Sequence, residues 1–416
     1  MPWYSVRIGL TDRTYLLLSK ALAYFKTSCH LSIICLVFTS CSVDKAKGTF
    51  GYDFAFLSDR MDVHLLKDED SNGQILLAPD YQGRVMTSTA RGLEGRSYGW
   101  INHDLIASGE TQPKINAVGG EDRFWLGPEG GQYSIFFPPG ASFDFANWKT
   151  PTVLDTKPFD ISSVSADRAV FEKRFLLRNY QGFVFDLKVE REVSILSKKE
   201  IEQNLGITLN EDCAYVGYQS QNKVINQNEE AWSRDKGLLS IWILGMFAPS
   251  EETVILLPYQ DSLQLNSAYF GSIDDSRLQA DSGVVYLRGD GKYRSKIGLP
   301  PANATGQLGS YDPINQVLTI VKHSFEGDSL YVNSLWEHQE YPYRGDVINA
   351  YNDGPLDDGS QLGPFYELES SSSAEALLPG DSMTHTHATY HFEGGQEAIY
   401  RIAQDVLGVD LSKIPF

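Results

Sequence analysis

Residues 363–392, GPFYELESSSSAEALLPGDSMTHTHATYHF, combine two strand-like segments with a Pro-Gly turn between them. The first segment places Glu367 and Glu369 two residues apart, so that both carboxylates point to the same face of a strand. Two like charges at this spacing raise each other's pKa, which suits a general acid or base. The stretch therefore predicts β-structure. Its acids belong either to the edge of a catalytic site or to a polar strand face that only titrates.

The second segment carries His385, His387 and His391 on one face of its strand. A His-x-His pair is a possible pair of metal ligands, but no third ligand stands at a recognisable spacing. We therefore expect a solvated or pocket-facing polar strand face, with no metal site and no cofactor.

The chain from residue 42 to 395 consists mostly of short apolar or alternating runs broken by Gly, Asn, Asp and Pro, such as QYSIFFPPG, LSIWILGMFAP and QVLTIVKHSF. These runs have the length and composition of strands. Two hairpins are predicted, one turning at residues 179–182 and one at residues 289–291. The pattern predicts an all-β fold, with one large antiparallel domain over residues 42–395 built as a wide two-sheet sandwich.

Helical patterns are scarce. The segment KKEIEQNLG, residues 198–206, predicts one short helix. The tail, residues 396–416, predicts a short C-terminal helix that ends at Gly408. Its apolar face comprises Ile399, Ile402, Ala403 and Val406. At the start of the range 42–395, residues 42–53 have the composition of a short polar tether.

The N-terminal segment resembles an export signal. An apolar run over residues 31–38 is too short to span a bilayer, and it ends in small residues before Cys41. This predicts a lipoprotein signal peptide over residues 1–41, with Cys41 lipidated and the protein anchored to the bacterial cell envelope, at the outer membrane. The alternative is an ordinary signal peptide in which Cys41 is incidental. If Cys41 carries the lipid, Cys213 is the only cysteine of the mature chain without lipid, which excludes a disulfide framework.

The charge balance is acidic, with 54 acidic against 35 basic side chains and a formal net charge of −19. Such a surface repels phosphate backbones, which excludes nucleic acid as a partner. A neutral or cationic small ligand remains possible, and we expect a monomer.

A first candidate binding loop is INAVGGEDRFWLGPEGGQYSIFFPPG, residues 115–140, whose paired glycines allow close backbone approach. Arg123 offers a fork of hydrogen-bond donors to hydroxyls, and Trp125 offers a flat face to a pyranose ring. Glu129 follows in the same loop. The alternative is a glycine-rich connection in which Arg123 is paired with a neighbouring acid.

A second candidate loop spans residues 333–363 and mixes aromatic, amide and acidic side chains, as carbohydrate-binding loops do. A long polar loop without a ligand would look similar. The candidate residues in it are Trp336, His338, Arg344, Asp346, Asn349 and Asn352.

The opening stretch resembles the C-terminal region of the galactose mutarotase-like (aldose 1-epimerase) superfamily. There a Leu-Glu motif precedes a short loop, then Leu-x-Pro-Gly-Glu, and then a closing strand. Leu368-Glu369 and residues 378–381, Leu-Pro-Gly-Asp, match in order and spacing, with Asp381 in place of the usual Glu. The chain also resembles a group of Bacteroidetes-type lipoproteins of this superfamily.

The resemblance implies a β-supersandwich with a sugar site, in which Glu369 is the base and a histidine is the acid. The usual His-x-x-His-Gly segment of the superfamily is absent. His323, His338 and His103 are candidates for the acid by their chemistry alone.

These observations predict an envelope-anchored, carbohydrate-active protein whose ligand is a sugar or oligosaccharide. One hypothesis is a mutarotase or epimerase that uses Glu369 and a histidine, with Glu367, His103 and the loop residues named above holding the sugar. The other is a glycan-binding lipoprotein without catalytic activity. A structural envelope protein without a ligand is a third possibility.

Overall fold

The structure is a computed structural model. It describes residues 46–281, 283–327, 329–356 and 358–416. The predicted signal segment and Cys41 lie outside the described residues. Among the helices of the described ranges, none combines the length and the apolar character needed to cross a membrane.

The described residues form three sheets, and antiparallel pairing holds each of them together. In chain order the strands are β1 (His64–Lys67), β2 (Gln74–Ala78), β3 (Arg84–Thr89), β4 (Arg123–Gly127), β5 (Asp160–Val164), β6 (Arg168–Arg178), β7 (Val184–Ile195), β8 (Ala214–Asn226), β9 (Ser240–Phe247), β10 (Val254–Pro258), β11 (Leu278–Asp281), β12 (Val284–Arg288), β13 (Ser295–Leu299), β14 (Gln307–Asp312), β15 (Val317–His323), β16 (Ile348–Asn352), β17 (Tyr366–Ser371) and β18 (Ser382–Glu393). The strand orders are β1-β2-β3 in the small sheet, β13-β16-β17-β9-β4 in the five-stranded sheet, and β11-β12-β10-β14-β15-β18-β8-β7-β6-β5 in the ten-stranded sheet.

The two larger sheets pack face to face, because each turns an apolar face toward the other. Phe247, Ile297 and Leu368 of the five-stranded sheet share one core cluster with Ile255, Leu287, Leu308 and Val321 of the ten-stranded sheet. Burial of these faces removes apolar surface from water, which is the main stabilising contribution to such a sandwich. The predicted all-β architecture of large antiparallel sheets is confirmed.

Helices are few and short in the described residues. They are α1 (Phe50–Ser58), α2 (His103–Ser108), α3 (Thr152–Asp155), α4 (Lys198–Leu205) and α5 (Gln396–Leu407), with 3₁₀ turns at Pro79–Tyr81, Gly92–Glu94 and Leu411–Lys413. The predicted helix α4 is confirmed, and a capping box of Ser197 and Glu200 starts it. The interpretation of residues 42–53 as a tether is wrong at its end, because Thr49 caps α1 and Phe50 is buried.

The short C-terminal helix is also confirmed. It ends at Gly408, which adopts the left-handed conformation that glycine tolerates. It covers the outer side of the ten-stranded sheet, where its apolar residues meet β15 and β18. The cluster contains Ile399, Ile402 and Ala403 of α5 together with Leu318, Ile320, Tyr390 and Phe392 of the sheet.

Of the two predicted hairpins, one is confirmed and one is wrong. β6 and β7 pair directly across the turn at residues 179–182. β12 and β13 do not pair, since β12 lies in the ten-stranded sheet and β13 in the five-stranded sheet. The chain crosses between the sheets at Asp290, whose carboxylate accepts a hydrogen bond from Arg277 at 2.6 Å. A turn signal alone does not reveal whether the chain returns to the same sheet.

The opening stretch makes the same kind of crossing. β17 lies in the five-stranded sheet and β18 lies in the ten-stranded sheet, so the two segments face each other instead of pairing. Ser370 of β17 bridges the gap, because its hydroxyl lies 2.7 Å from Nε2 of His385 and 2.8 Å from Nδ1 of His387. This crossing turns the acids of β17 away from the histidines of β18.

Candidate active site on the five-stranded sheet

Glu367 and Glu369 share one face of β17, as the sequence predicts. Leu368 and Ser370 point toward the ten-stranded sheet, so the two glutamates point away from it. We call this side of the five-stranded sheet the site face. Cross-strand pairing places Leu244 of β9 and Asn349 of β16 beside Glu369 on this face.

Glu369 is fully buried, and its two carboxylate oxygens have different surroundings. Oε2 accepts hydrogen bonds from Nζ of Lys296 at 3.0 Å and from Nε1 of Trp242 at 2.9 Å. Oε1 has no hydrogen-bond partner among the described residues. A buried acceptor without a partner loses its hydration without compensation, so this oxygen favours any ligand that can donate to it.

Lys296 reaches Glu369 from β13, and its side chain is almost completely buried. Its ammonium group lies 4.8 Å from the ring centroid of Trp242 and 5.4 Å from that of Tyr269, so both rings stabilise the charge. Burial by itself lowers the pKa of Lys296, but nearby negative charge, that of Glu369 above all, outweighs it and leaves the pKa above its ordinary value. Lys296 is therefore a cation at neutral pH.

Glu367 is held by Arg123. Nη2 of Arg123 donates to Oε1 of Glu367 at 2.8 Å, and the guanidinium group stacks 4.3 Å from the ring of Trp125. Burial raises the pKa of Glu367 to about 8; Arg123 opposes this shift and Glu369 adds to it. Glu367 is therefore mostly protonated at neutral pH. The alternative that Arg123 pairs with a neighbouring acid in its own loop is wrong.

A small cavity lies over the site face beside Glu369. Its walls are Gly127, Trp242, Tyr269, Lys296, Val332, Ser334, Asp346, Asn349 and Ser371. It leaves about 10 Å³ for the centres of water molecules, which is about the room that one water needs. The two binding partners of Glu369 thus line the cavity, as do its cross-strand neighbour Asn349 and its strand neighbour Ser371.

Tyr269 closes one side of the cavity. Its hydroxyl donates to Oδ2 of Asp346 and accepts from Nδ2 of Asn349 at 3.1 Å. Asn266 also donates to Asp346, at 2.7 Å. Burial raises the pKa of Asp346, while these hydrogen bonds lower it, with a net upward shift. Asp346 and Asn349, predicted from the sequence as sugar-binding residues, thus both lie at the cavity.

An aromatic cluster borders the cavity on the side of β4. Glu129 is half-buried there, its backbone N–H donates to Ser334 at 3.2 Å, and burial raises its pKa. Trp336 stacks on Trp148 at 5.9 Å between ring centroids. Trp125 differs from the expectation of an open stacking face, because it is buried and its indole N–H donates to the carbonyl of Leu154. We call Glu129, Lys296, Asp346, Glu367 and Glu369 the carboxylate site.

The histidines considered for the acid lie elsewhere. His323 is buried in β15, where Nδ1 lies 2.9 Å from the carbonyl of Ser324, and burial lowers its pKa to about 4. His338 is exposed and contacts the rings of Phe143 and Tyr180.

His103, expected among the sugar-binding residues, starts α2. Its Nε2 lies 2.7 Å from Asp53 of α1, and it packs against the ring of Phe56 at 4.7 Å. None of the three histidines lines the cavity, because each is fixed by contacts with a different part of the fold.

Two further predicted binding residues have other contacts. Arg344 is exposed and stacks on Tyr341 at 4.2 Å. Asn352 points away from the site face. Its amide donates to the carbonyl of Tyr293 at 2.8 Å and accepts from the N–H of Gly291 at 2.8 Å. Asn352 therefore braces the crossing after β12, a role that the polar composition of its loop does not reveal.

The expectation of a solvated or pocket-facing histidine strand is wrong. His385, His387 and His391 are fully buried between the two larger sheets. His391 lies 2.9 Å from Oε2 of Glu121 and 2.9 Å from Thr319. We call Glu121, His385, His387, His391 and Ser370 the histidine network. Within the described ranges, no three His, Cys, Asp or Glu residues are grouped as they would be around a metal ion.

The sequence patterns did not identify three residues that line the cavity, Lys296, Trp242 and Tyr269. Lys296 follows the turn at residues 289–291, and Trp242 lies in the apolar run LSIWILGMFAP, so both have the context of ordinary strand residues. The available signal was a charged or indole side chain within an apolar run, but the run does not show which sheet face that side chain joins.

Comparison with known proteins places the chain in a family. Residues 48–415 match the model of a family of unknown function, DUF6786. No curated protein matches the sequence.

Solved structures with a similar course of the chain are distant in sequence. A Slr1438 protein from Synechocystis sp. PCC 6803 has a TM-score of 0.49 at 12% identity, over 81% of this chain and 97% of its own. A galactose mutarotase-like protein from Lactobacillus casei has 0.48 at 10% identity, over 79% of this chain and 100% of its own. A putative aldose 1-epimerase from Escherichia coli K12 has 0.45 at 14% identity, over 80% of this chain and 99% of its own. At such scores none of them tells what this chain does.

Since the family model spans nearly all of the described residues, the protein belongs to the DUF6786 family of unknown function.

Proposed function

We propose that the protein binds a sugar at the cavity beside Glu369 and interconverts its anomers, with Glu369 as the base. The observation that supports this most is the asymmetry of its carboxylate. Oε2 is fixed by Lys296 and Trp242, whereas Oε1 is buried without a partner among the described residues. The anomeric hydroxyl of a sugar supplies the missing donor, and its proton is the one that must leave for the ring to open.

The walls of the cavity support a sugar as the ligand class. They combine an ammonium, a carboxylate, an amide and hydroxyls with the rings of Trp242 and Tyr269. Sugars present many hydroxyls on a ring with apolar faces, and such a mixture of polar and aromatic groups matches both. The Leu368-Glu369 motif supports the same function through its resemblance to mutarotase-like proteins.

The cavity is too small for a pyranose ring in the conformation described, so binding requires one wall to withdraw. We expect this wall to be the connection between β10 and β11, which carries Tyr269, because long loops over a site commonly move on ligand binding. Hydrogen exchange would detect the withdrawal as decreased protection of residues 262–275 when sugar is added, because backbone hydrogen bonds such as that from the N–H of Asn266 to the carbonyl of Gly298 would open.

The test follows freshly dissolved α-glucose and α-galactose by proton NMR, with and without protein. We expect faster approach to anomeric equilibrium with the wild-type protein and the uncatalysed rate with Glu369→Gln. Glu192→Gln, at a half-buried position on β7 of the ten-stranded sheet and outside the cavity, is the matched control and should keep the wild-type rate. An unchanged rate with the wild-type protein would contradict the proposal. If sugar signals then broaden in its presence, the protein is a glycan-binding protein without catalytic activity.

We also propose that Cys41 carries a lipid that anchors the protein to the cell envelope. The support is the apolar run over residues 31–38 that ends in small residues before this cysteine. Metabolic labelling with a palmitate analogue should label the wild-type protein and not Cys41→Ala. Equal labelling of both would contradict the anchor.

A further inference from the structure

We propose that Lys296 donates the proton that the ring oxygen takes up when the sugar ring opens at Glu369. This inference rests on the function proposed above. It assigns to a lysine the role for which the sequence suggested a histidine, and it starts from the contact between Nζ of Lys296 and Oε2 of Glu369 at 3.0 Å.

The reaction requires the acid and the base to lie side by side. The anomeric hydroxyl and the ring oxygen are bonded to the same carbon, so a base on one and an acid on the other must be neighbours. Among the polar residues that line the cavity, Lys296 contacts Glu369 directly, and two aromatic rings hold its ammonium group in place. Glu367 is instead engaged by Arg123 through one of its oxygens.

The proton balance is closed by these two residues. Glu369 takes the proton of the anomeric hydroxyl, and a carbonyl forms between that oxygen and the anomeric carbon. The bond from the anomeric carbon to the ring oxygen breaks, its electron pair stays on the ring oxygen, and this oxygen takes a proton from Lys296. After rotation about the adjacent carbon–carbon bond, the ring closes and both protons return.

The surroundings of Lys296 make it a stronger acid once Glu369 has taken the proton of the anomeric hydroxyl. Without a ligand Lys296 stays protonated, because nearby negative charge raises its pKa by more than burial lowers it. Glu369 makes the largest of these upward contributions. When Glu369 becomes protonated, that stabilisation is lost and burial remains. The pKa of Lys296 then falls, which favours transfer of its proton to the ring oxygen.

The inference predicts a pH dependence that differs from that of an imidazole. An imidazole donor loses its proton above about pH 6.5, whereas a lysine keeps it to about pH 10. The rate of anomer exchange, corrected for the uncatalysed rate, should therefore show no decline between pH 6 and 7.5, a window that lies below the pKa of about 8 of Glu367.

The test compares Lys296→Arg and Lys296→Met with the wild-type protein in the NMR assay, with sugar binding followed by titration of chemical shifts. Arginine keeps the positive charge but does not release a proton near neutral pH. We expect both variants to lose about 100-fold or more in the rate at saturating sugar. We expect the arginine variant to bind sugar within about threefold of wild type. His338→Gln and His103→Gln are controls that should keep the rate.

Four results would overturn the inference. If Lys296→Arg keeps the wild-type rate, a positive charge at this position suffices. If Lys296→Arg loses sugar binding together with the rate, Lys296 holds the sugar. A decline of the wild-type rate between pH 6 and 7.5 would favour an imidazole. If Glu369→Gln is inactive and both Lys296 variants are active, the proposed function stands and this inference fails. If the wild-type protein does not accelerate the reaction, the proposed function itself fails.

Discussion

Glu121 and Glu369 are both fully buried glutamates on strands or strand ends of the same sandwich, but their carboxylates are paired differently. Glu121 accepts hydrogen bonds from the backbone N–H and hydroxyl of Ser88, from Tyr218 and from His391. Glu369 accepts two bonds on one oxygen, and its other oxygen has no partner among the described residues. A fully paired carboxylate between two sheets holds them together, whereas a half-paired one beside a cavity can receive a ligand.

The comparison shows that residue type alone does not separate a site from a structural network. Acids and imidazoles stand together in residues 363–392, yet β17 turns Glu369 to the site face and β18 turns its histidines into the space between the sheets. What distinguishes the two groups is the number of partners of each polar atom and the presence of a cavity. Substitutions in each group should therefore have different consequences.

The largest expected effect on stability is that of Glu121→Ala. It leaves Tyr218, Ser88 and His391 as buried groups without their shared acceptor, which costs about 3–5 kcal/mol of the free energy of unfolding. Urea unfolding followed by tryptophan fluorescence measures this. Glu192→Gln, on the half-buried side of β7 where Glu192 pairs with Arg168 at 3.4 Å, should stay within about 0.5 kcal/mol of wild type. A loss below about 1 kcal/mol in Glu121→Ala would contradict a structural role for the network.

The histidine network and its neighbour His323 should make the protein sensitive to acid. Burial lowers the pKa of His323 and of His387 from 6.5 to about 4. The unfolded chain then binds protons that the folded chain does not, so stability is unaffected above about pH 6.5 and falls as the pH drops toward 4. Each histidine contributes a loss of about 3 kcal/mol over this range.

His323→Phe tests this with little disturbance, because His323 makes one side-chain hydrogen bond and packs against Phe325. We expect the acid-side slope of the unfolding free energy to become shallower by about 1.4 kcal/mol per pH unit, the effect of one proton. Unfolding curves at pH 4 to 8 give the slope. A slope identical to wild type would show that His323 does not titrate on unfolding.

The carboxylate site should have the opposite pH dependence. Burial raises the pKa of Glu367 from 4.5 to about 8, so the folded chain keeps a proton that the unfolded chain loses. The stability contribution of Glu367 is therefore present below about pH 4.5 and is lost as the pH rises toward 8.

Glu367→Gln should remove that loss while keeping an acceptor for Arg123. Between pH 5 and 8 the unfolding free energy of this variant should decline less steeply than that of wild type, by up to about 1.4 kcal/mol per pH unit. The same series of unfolding curves measures it. Parallel curves for variant and wild type would contradict the protonated state of Glu367.

The sequence predicted the fold class because strand length and alternation depend on local residue order. β7, VFDLKVEREVSI, alternates half-buried and buried residues along its whole length, so its pattern is visible without the structure. The pairing of Arg123 with Glu367 was missed for a different reason. It joins residues 244 positions apart through the order of β4, β9 and β17, and no local pattern contains that order.

The site was predicted only in part, because some of its contacts follow from local spacing and others depend on the order of the strands. Glu369 and Glu367 were found because their spacing of two is a property of any strand, whereas Lys296 reaches Glu369 only through the neighbouring strands β13 and β16. The histidines were misplaced because the sequence shows that they share a strand face but not which layer that face meets. Burial between sheets becomes known only once the crossing from β17 to β18 is known.

The smallest expected effect concerns Asp381, which matches the mutarotase-like motif but belongs to neither group. Its side chain is exposed, and the turn is held by the backbone, since its N–H donates to the carbonyl of Leu378 and its carbonyl accepts from Asn226. Asp381→Glu should therefore change the unfolding free energy by less than about 0.5 kcal/mol and leave the anomer-exchange rate unaltered. Gly380→Ala in the same turn should cost about 1 kcal/mol, because Gly380 has a φ of +84°. If Asp381→Glu altered the rate while Gly380→Ala did not, the turn would contribute to the chemistry, and the separation between the two groups would have to include it.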